Sequence, residues 1–483
     1  MYTCNYWLSI ILFFSTFFQL SGQLQSFQIK GNDLAEEFGF EVKSSLDGFY
    51  IAVSHHEAGE LIVTLYRKTP NSSLEYEFFD TVIFNQDDFS GDFTTTSIDI
   101  SGNGNFIFIV FESTMNPDYL VCNKMEILSS EIVLINSHTI IDFNKVSFSN
   151  NDLIIESNNF GTTVAISYYS ENSVISYALF DTTNEPWSRQ NITTGGSILS
   201  NGNHIDYAKE EEFVVVSRAT ESTQIGGDRL MFYSKNEDGE FDLIADIIEP
   251  DYFRDISISP DAKYVSTLEN RLVNDVFQDT MDLNIYIYEN NELNKFHSDG
   301  IRFSYPVSRF HSYVKISNDG AIVVCGASRL VGDQGEEESI VLIYKMKSGT
   351  YEQVNIINTT TRFNTLDLSS DGSLLFVGES NFSDDCGMIT VYDLSEIVAS
   401  NKDLSELGSF ELFPNPVSDV LFIKSSVNLQ NVNFKIFNYL GQEVKRGVFE
   451  EKDKIDVRSM ANGLYYFKVA EKISHSTPFV VRH

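Results

Sequence analysis

The sequence predicts an all-β chain: a β-propeller, most simply seven-bladed, followed by a small C-terminal β-sandwich. Three observations carry this. The 483 residues include 39 Phe and 23 Tyr but only 9 Pro, and no long helical heptad pattern appears, a composition that favours strands. One short grammar of strand, turn and strand recurs between about residues 40 and 380. The formal charge of −36 is also unevenly placed: from Glu411 onward ten Lys/Arg face eight Asp/Glu, about +2, which leaves about −38 upstream. The expected division is a leader at 1–22, a propeller at 23–402, a linker at 403–410 and the sandwich at 411–483.

The first residues, "MYTCNYWLSIILFFSTFFQLSGQLQSF", hold an apolar block from Tyr6 to Leu20. A membrane-spanning helix needs roughly 20 apolar residues, so this block is short for one. It ends in Leu20-Ser21-Gly22, small enough for cleavage after Gly22, and no lipobox cysteine follows. No Lys or Arg precedes it, so the α-amino group alone supplies positive charge. A cleaved export signal is expected, with a retained anchor as the alternative. Cys4 leaves with it. Cys122, Cys325 and Cys386 remain, an odd number without metal-like spacing, so this is no disulfide scaffold. Cys325, in "AIVVCGAS", reads as a small buried residue; a Cys325–Cys386 bridge is the alternative.

The middle of the chain repeats. "FEVKSSLDGFYIAVS", "SIDISGNGNFIFIVF", "VSFSNNDLIIES", "IDYAKEEEFVVVS", "SISPDAKYVSTL", "VKISNDGAIVVCGAS" and "LDLSSDGSLLFVGES" align on Gly48, Gly104, Asn151, Glu211, Ala262, Gly320 and Gly372. Their mean spacing of about 54 residues is close to that of four-stranded propeller blades. Asp-Gly or Asn-Gly supplies the positive φ of a tight turn. A later apolar-Tyr strand follows in several units, as in "LIVTLYRK", "SIVLIYKM" and "GMITVYDL". Four strands cannot bury both faces alone, but units arranged radially can. Six or eight blades stay open, because the third and fourth units are weakly marked. "VKISNDGAIVVCGAS…ESIVLIYKMKSGTYEQV" resembles the FG-GAP-type propeller repeats of secreted bacterial proteins, and "EEFGFEVKSSLDG" keeps Phe38-Gly39 ahead of the first turn. The resemblance implies architecture and says little of activity.

Propellers of that kind often carry Asp-x-Asp-Gly-x-x-Asp calcium loops, because hard cations need several converging oxygens. "KNEDGEFDLIAD" comes nearest, with Asn236, Asp238 and Asp242 around Gly239, but its carboxylates are too few and an ordinary hairpin is expected. The acidic runs "QDDFSGD" and "SDDCG" lack ligand spacing. His55, His56, Glu57 and Glu60 form a His/carboxylate cluster; adjacent histidines on an extended chain point to opposite faces and cannot easily bind one ion, so a loop at a blade edge is expected rather than a metal site. No nucleophile elbow, phosphate loop or nucleotide fingerprint occurs, and the acids are too many to single out a catalytic pair. No cofactor is expected beyond weak, diffuse Ca²⁺. The acidity disfavours nucleic acid as a partner. Sequons at Asn71, Asn191, Asn358 and Asn381 are what chance gives in a chain rich in Asn, Ser and Thr.

The last segment opens on "ELFPNPVSDVLFIK". Pro414 and Pro416, on either side of Asn415, lack N–H donors and fix φ, so they end ladder pairing and turn the chain into an alternating strand. Gly441 and Gly463 are expected at turns that tolerate positive φ. With "IFNYLGQEV", "MANGLYYFKV" (Gly463, Tyr465) and a final apolar-basic strand ending at Arg482, the segment closely resembles the type A C-terminal sorting domain of the type IX secretion system. That resemblance implies recognition by the outer-membrane translocon of a Gram-negative cell and release outside it or attachment to its surface. The functional expectation is a monomeric secreted or surface protein that binds a protein or glycan without catalysis. A secreted hydrolase or lyase acting on polysaccharide or peptide is the rival.

Overall fold

The computed structural model describes residues 24–399 and 410–483 apart from short internal stretches, the longest being 85–95 and 141–152. The residues expected as a leader and nearly all of those expected as a linker lie outside the described residues; Phe410 already belongs to the strand Phe410–Phe413. Among the described residues no helix is long and apolar enough to cross a membrane.

Upstream of the linker the described residues form seven four-stranded antiparallel sheets. Blades 1 to 6 span 35–84, 96–140, 154–194, 204–249, 252–302 and 307–359, each a meander running outward in chain order. Blade 7 takes three strands from 362–393, and Ser26–Lys30 supplies its outermost strand by pairing with Gly387–Asp393. The innermost strands pack successively, and that of blade 7 meets that of blade 1. Seven separate apolar clusters occupy the seven junctions, one between each pair of neighbouring sheets. Most strands are therefore buried on both faces, which is why their sequences read as continuous apolar runs near the turns.

The turn grammar is a hydrogen-bonded unit. Ser45, Ser101, Ser259, Ser317 and Ser369 each accept, at 2.9–3.0 Å, the N–H of the residue five further on. Each hydroxyl donates to the side chain two residues on, namely Asp47, Asn103, Asp261, Asp319 and Asp371, at 2.6–2.9 Å. That same oxygen accepts the N–H two residues later still, as from Phe49 to Asp47 and from Ser373 to Asp371. Ser-x-Asp-Gly thus satisfies the donors that a tight turn leaves over. The glycine is required at blade 6, where Gly320 has φ of 66° and an added Cβ would come within 2.6 Å of the Tyr264 ring. In blade 3 the expected anchor, Asn151, lies outside the described residues, and the turn falls at Asn158–Gly161, with Gly161 at φ 61°. There Asn158 replaces serine and accepts from the Thr162 and Thr163 N–H groups.

The segment from Phe410 holds a three-stranded and a four-stranded sheet that share one apolar core, including Leu421, Ile436, Phe467 and Phe479.

Candidate functional site

Counting back from the turn anchors selects what faces the propeller axis. Five residues before each anchor stand Lys43, Asp99, Glu156, Asp206, Ser257, Lys315 and Asp367; seven before stand, among others, Glu41, His204 and Asp255. Residues two apart on a strand share a face, and Glu41, Lys43, Glu156, His204, Asp255 and Lys315 line one axial cavity of about 100 Å³.

Most of these carboxylates are tied to a neighbouring blade. Glu41 accepts the Ile98 N–H at 2.8 Å, Asp99 that of Ser157 at 2.7 Å, and Asp206 that of Ile258 at 2.9 Å. Asp255 accepts the Val314 N–H at 2.8 Å, and Asp367 closes the circle on Ser44 at 2.6 Å. In each case an acid of one innermost strand holds the backbone of the next. Two lysines cross the axis instead. Lys43 of blade 1 pairs with Glu156 of blade 3 at 2.5 Å, and Lys209 of blade 4 with Asp99 of blade 2 at 2.9 Å. His204 Nδ1 stands 3.6 Å from Asp255.

Burial sets the protonation of these groups. It pushes Glu41 up to about 7, and Asp206 and Asp255 to about 6, against the pull of nearby lysines and backbone N–H groups. Glu156 is equally buried, yet the Lys43 ammonium holds it below the usual carboxylate range. Lys315 is raised although burial works against its charge, chiefly by Asp206.

At one end of the axis the turns are hydrogen-bonded to one another at every junction except that between blades 5 and 6, where Pro260 has no N–H to donate. Leu46 N–H donates to Gly102 O, Asn103 to Asn159, Asn159 to Lys209, Glu210 to Pro260, Asn318 to Ser370, and Ser370 back to Leu46, at 2.7–3.0 Å. The chain enters the innermost strands at the opposite end.

Asn236, Asp238 and Asp242 lie at the hairpin between Asp228–Lys235 and Phe241–Glu249. Asn236 Oδ1 accepts the Asp238 and Glu240 N–H groups, and the side-chain amide Nδ2 donates to Asp242. No group of three His, Cys, Asp or Glu suited to a metal is found among the described residues. His55 and His56 are not in a loop: both are buried within the strand Tyr50–Glu57, His55 against the Phe38 ring. The apolar pattern lapses there, but the strand continues to pair with Glu60–Lys68. Cys122 and Cys325 are buried free thiols, and Cys386 lies outside the described residues.

In the C-terminal segment the proline corner meets the last strand. Asn415 Oδ1 accepts the Val480 N–H at 2.8 Å, and Val417 exchanges backbone hydrogen bonds with Val480 and Arg482. Asn462 accepts the His483 N–H at 2.7 Å, and the Tyr465 hydroxyl donates to Ala461 O. The two motifs, some 45 residues apart in sequence, so converge on residues 480–483. Gly463 opens the strand Gly463–Val469 directly after a turn and is not among the glycines at positive φ; Gly441 lies outside the described residues. The role of Asn462 was signalled only by its place in the motif.

Residues 411–482 match the family model of the secretion system C-terminal sorting domain. No curated protein matches the chain. Among solved structures, the Dos1 propeller is 13% identical over 74% of this chain and 79% of its own, with a TM-score of 0.44. The periplasmic gluconolactonase of Pseudomonas aeruginosa is 10% identical over 65% and 84%, TM-score 0.43. A hypothetical selenium-binding protein of Sulfolobus tokodaii is 10% identical over 93% and 96%, TM-score 0.44. The fold assignment rests on the sheets and seams described above. The sorting domain marks the chain as cargo of the type IX secretion system, exported to the cell surface or the extracellular space.

Proposed function

We propose that this type IX cargo acts outside the cell as a non-enzymatic binding protein, meeting an extracellular protein or glycan at the propeller end away from the hydrogen-bonded turns. The observation that carries this reading is the employment of the axial acids. Carboxylates do converge on the axis, as a hydrolase would need. Five of them hold the next blade's backbone, however, and Glu156 is spent on Lys43. The cavity of about 100 Å³ also falls well short of the roughly 300–1,000 Å³ of small-molecule pockets. The test is a glycan array and a pull-down with the mature chain, where a saturable partner is expected. A hydrolase remains the second reading because Glu41, pushed up to about 7, shares the cavity with Asp255. Turnover of a polysaccharide or peptide that Glu41→Gln abolishes in a chain still folded would replace the binding reading.

A further inference from the structure

The junction between blades 4 and 5 contains buried acids that lie off the axis and that the proposed function leaves unused. Asp228, on the third strand of blade 4, is fully buried. Its Oδ2 accepts the Phe253 N–H of blade 5 at 2.9 Å, and its Oδ1 has no hydrogen-bond partner. Across the seam stands Glu269 of blade 5, 1% exposed, whose charge Asp228 feels. Glu269 accepts the Thr267 hydroxyl at 2.5 Å and the Tyr286 hydroxyl at 3.3 Å.

We propose that this junction is a proton-dependent latch, held closed while Asp228 and Glu269 carry protons and loosened when both are ionised. The geometry supplies the reason. A buried carboxyl oxygen with no donor in reach favours the neutral acid, and two carboxylates sharing one apolar seam repel. The surrounding charges leave the balance on that side. Around Asp228 are Arg254, which favours ionisation, and Glu249, its cross-strand partner, with Glu269 opposite. Around Glu269 are Asp282, its cross-strand partner, together with Glu249 and Lys295. Lys295 is already paired with Glu249 at 2.9 Å. Burial accordingly pushes both acids up to about 7.

The sign follows from linkage. In an opened junction the acids return to about 4, so opening becomes easier as pH rises from about 4 and levels off above about 7. Hydrogen exchange of the full chain, corrected for the intrinsic chemical rate, reads this at the Phe253 amide between about pH 5 and about pH 8. Its protection should fall at least tenfold, about 1.4 kcal/mol, relative to the Ser44 amide that Asp367 holds. Asp228→Asn with Glu269→Gln should flatten the profile. Glu269→Gln alone, which leaves the Phe253 hydrogen bond intact, should reduce the fall by about half. A corrected profile that is flat in the natural chain, a fall shared by Ser44, or a fall that survives in Glu269→Gln and in the double variant would each overturn the latch.

Discussion

Replacing Lys43 by Met isolates what the cross-axial ion pair does for the ring. The Lys43 and Glu156 side chains are only 12% and 4% exposed and meet at 2.5 Å. At an effective dielectric of about 20 their gross attraction is about 7 kcal/mol, much of it cancelled by the cost of taking both charges out of water. Breaking the pair from one side is a different matter, because Glu156 then stays buried without its main counter-charge. Such losses cost about 3–5 kcal/mol. Lys43→Met should lower the stability of the propeller transition by that amount at neutral pH, read as a shift in the urea midpoint with the slope unchanged. The acid limb should change too. Glu156 is held below its unfolded value, so it contributes stability that is present above about pH 4.5 and lost as pH falls through the lower folded value. That dependence should disappear in the variant. Adding Glu156→Leu to Lys43→Met should recover most of the loss, since a well-packed apolar pair substitutes nearly neutrally for a buried ionic one. A loss under about 1 kcal/mol for the single variant, the range of surface pairs, would refute the reasoning, as would a double variant no more stable than the single.

Asp371→Ala removes the acceptor shared by the Ser369 hydroxyl and the Ser373 N–H, and thermal melting should show a loss of about 1–2 kcal/mol; an unchanged midpoint would mean that the turn holds without its side chains. Asn415→Ala frees the Val480 N–H and should reduce surface display, while deletion of 407–483 should strand the chain in the periplasm; undiminished display of the deletion would contradict its role as an address. Calorimetric titration with Ca²⁺, and melting with Ca²⁺ or chelator at matched ionic strength, should show only weak, diffuse effects, because the acidic propeller screens like any polyanion. A stoichiometric micromolar site, or a melting shift that Asp238→Ala abolishes, would be the contrary result.

The strand-rich class and the sorting domain were legible because their signals are local: alternation, turn residues, and motifs that follow one another in order. Blade 3 was not. Its turn, "ESNNFG", carries Asn158 for serine and Phe160 for aspartate, and the nearby "SFSNNDL" imitates the usual grammar ten residues too early. That slip hid Glu156 from the axial layer, since the layer appears in the sequence only once every turn is aligned correctly. His55 and His56 misled for another reason. Polar residues at a strand end look like a loop, although the backbone ladder there continues. The pairing of Ser26–Lys30 with Gly387–Asp393 had no local signal at all, for the partners are some 360 residues apart.

That remote pairing decides how the molecule can come apart. A linear stack of repeats frays from its two ends, because each terminal unit has a neighbour on one side only. Here no blade is terminal. Blade 7 draws its outer strand from the start of the chain and packs against blade 1 through Val391, Phe376, Ile51 and Val53. Releasing any one blade must therefore break two apolar seams at once, and the seven units should melt in one cooperative step. The same connection delays assembly. Until residue 393 is available the ring is an open arc with two bare seams, the slow, non-local kind of closure. Removing Ser26–Lys30 should then convert one sharp unfolding transition into a broad one that starts at blades 7 and 1.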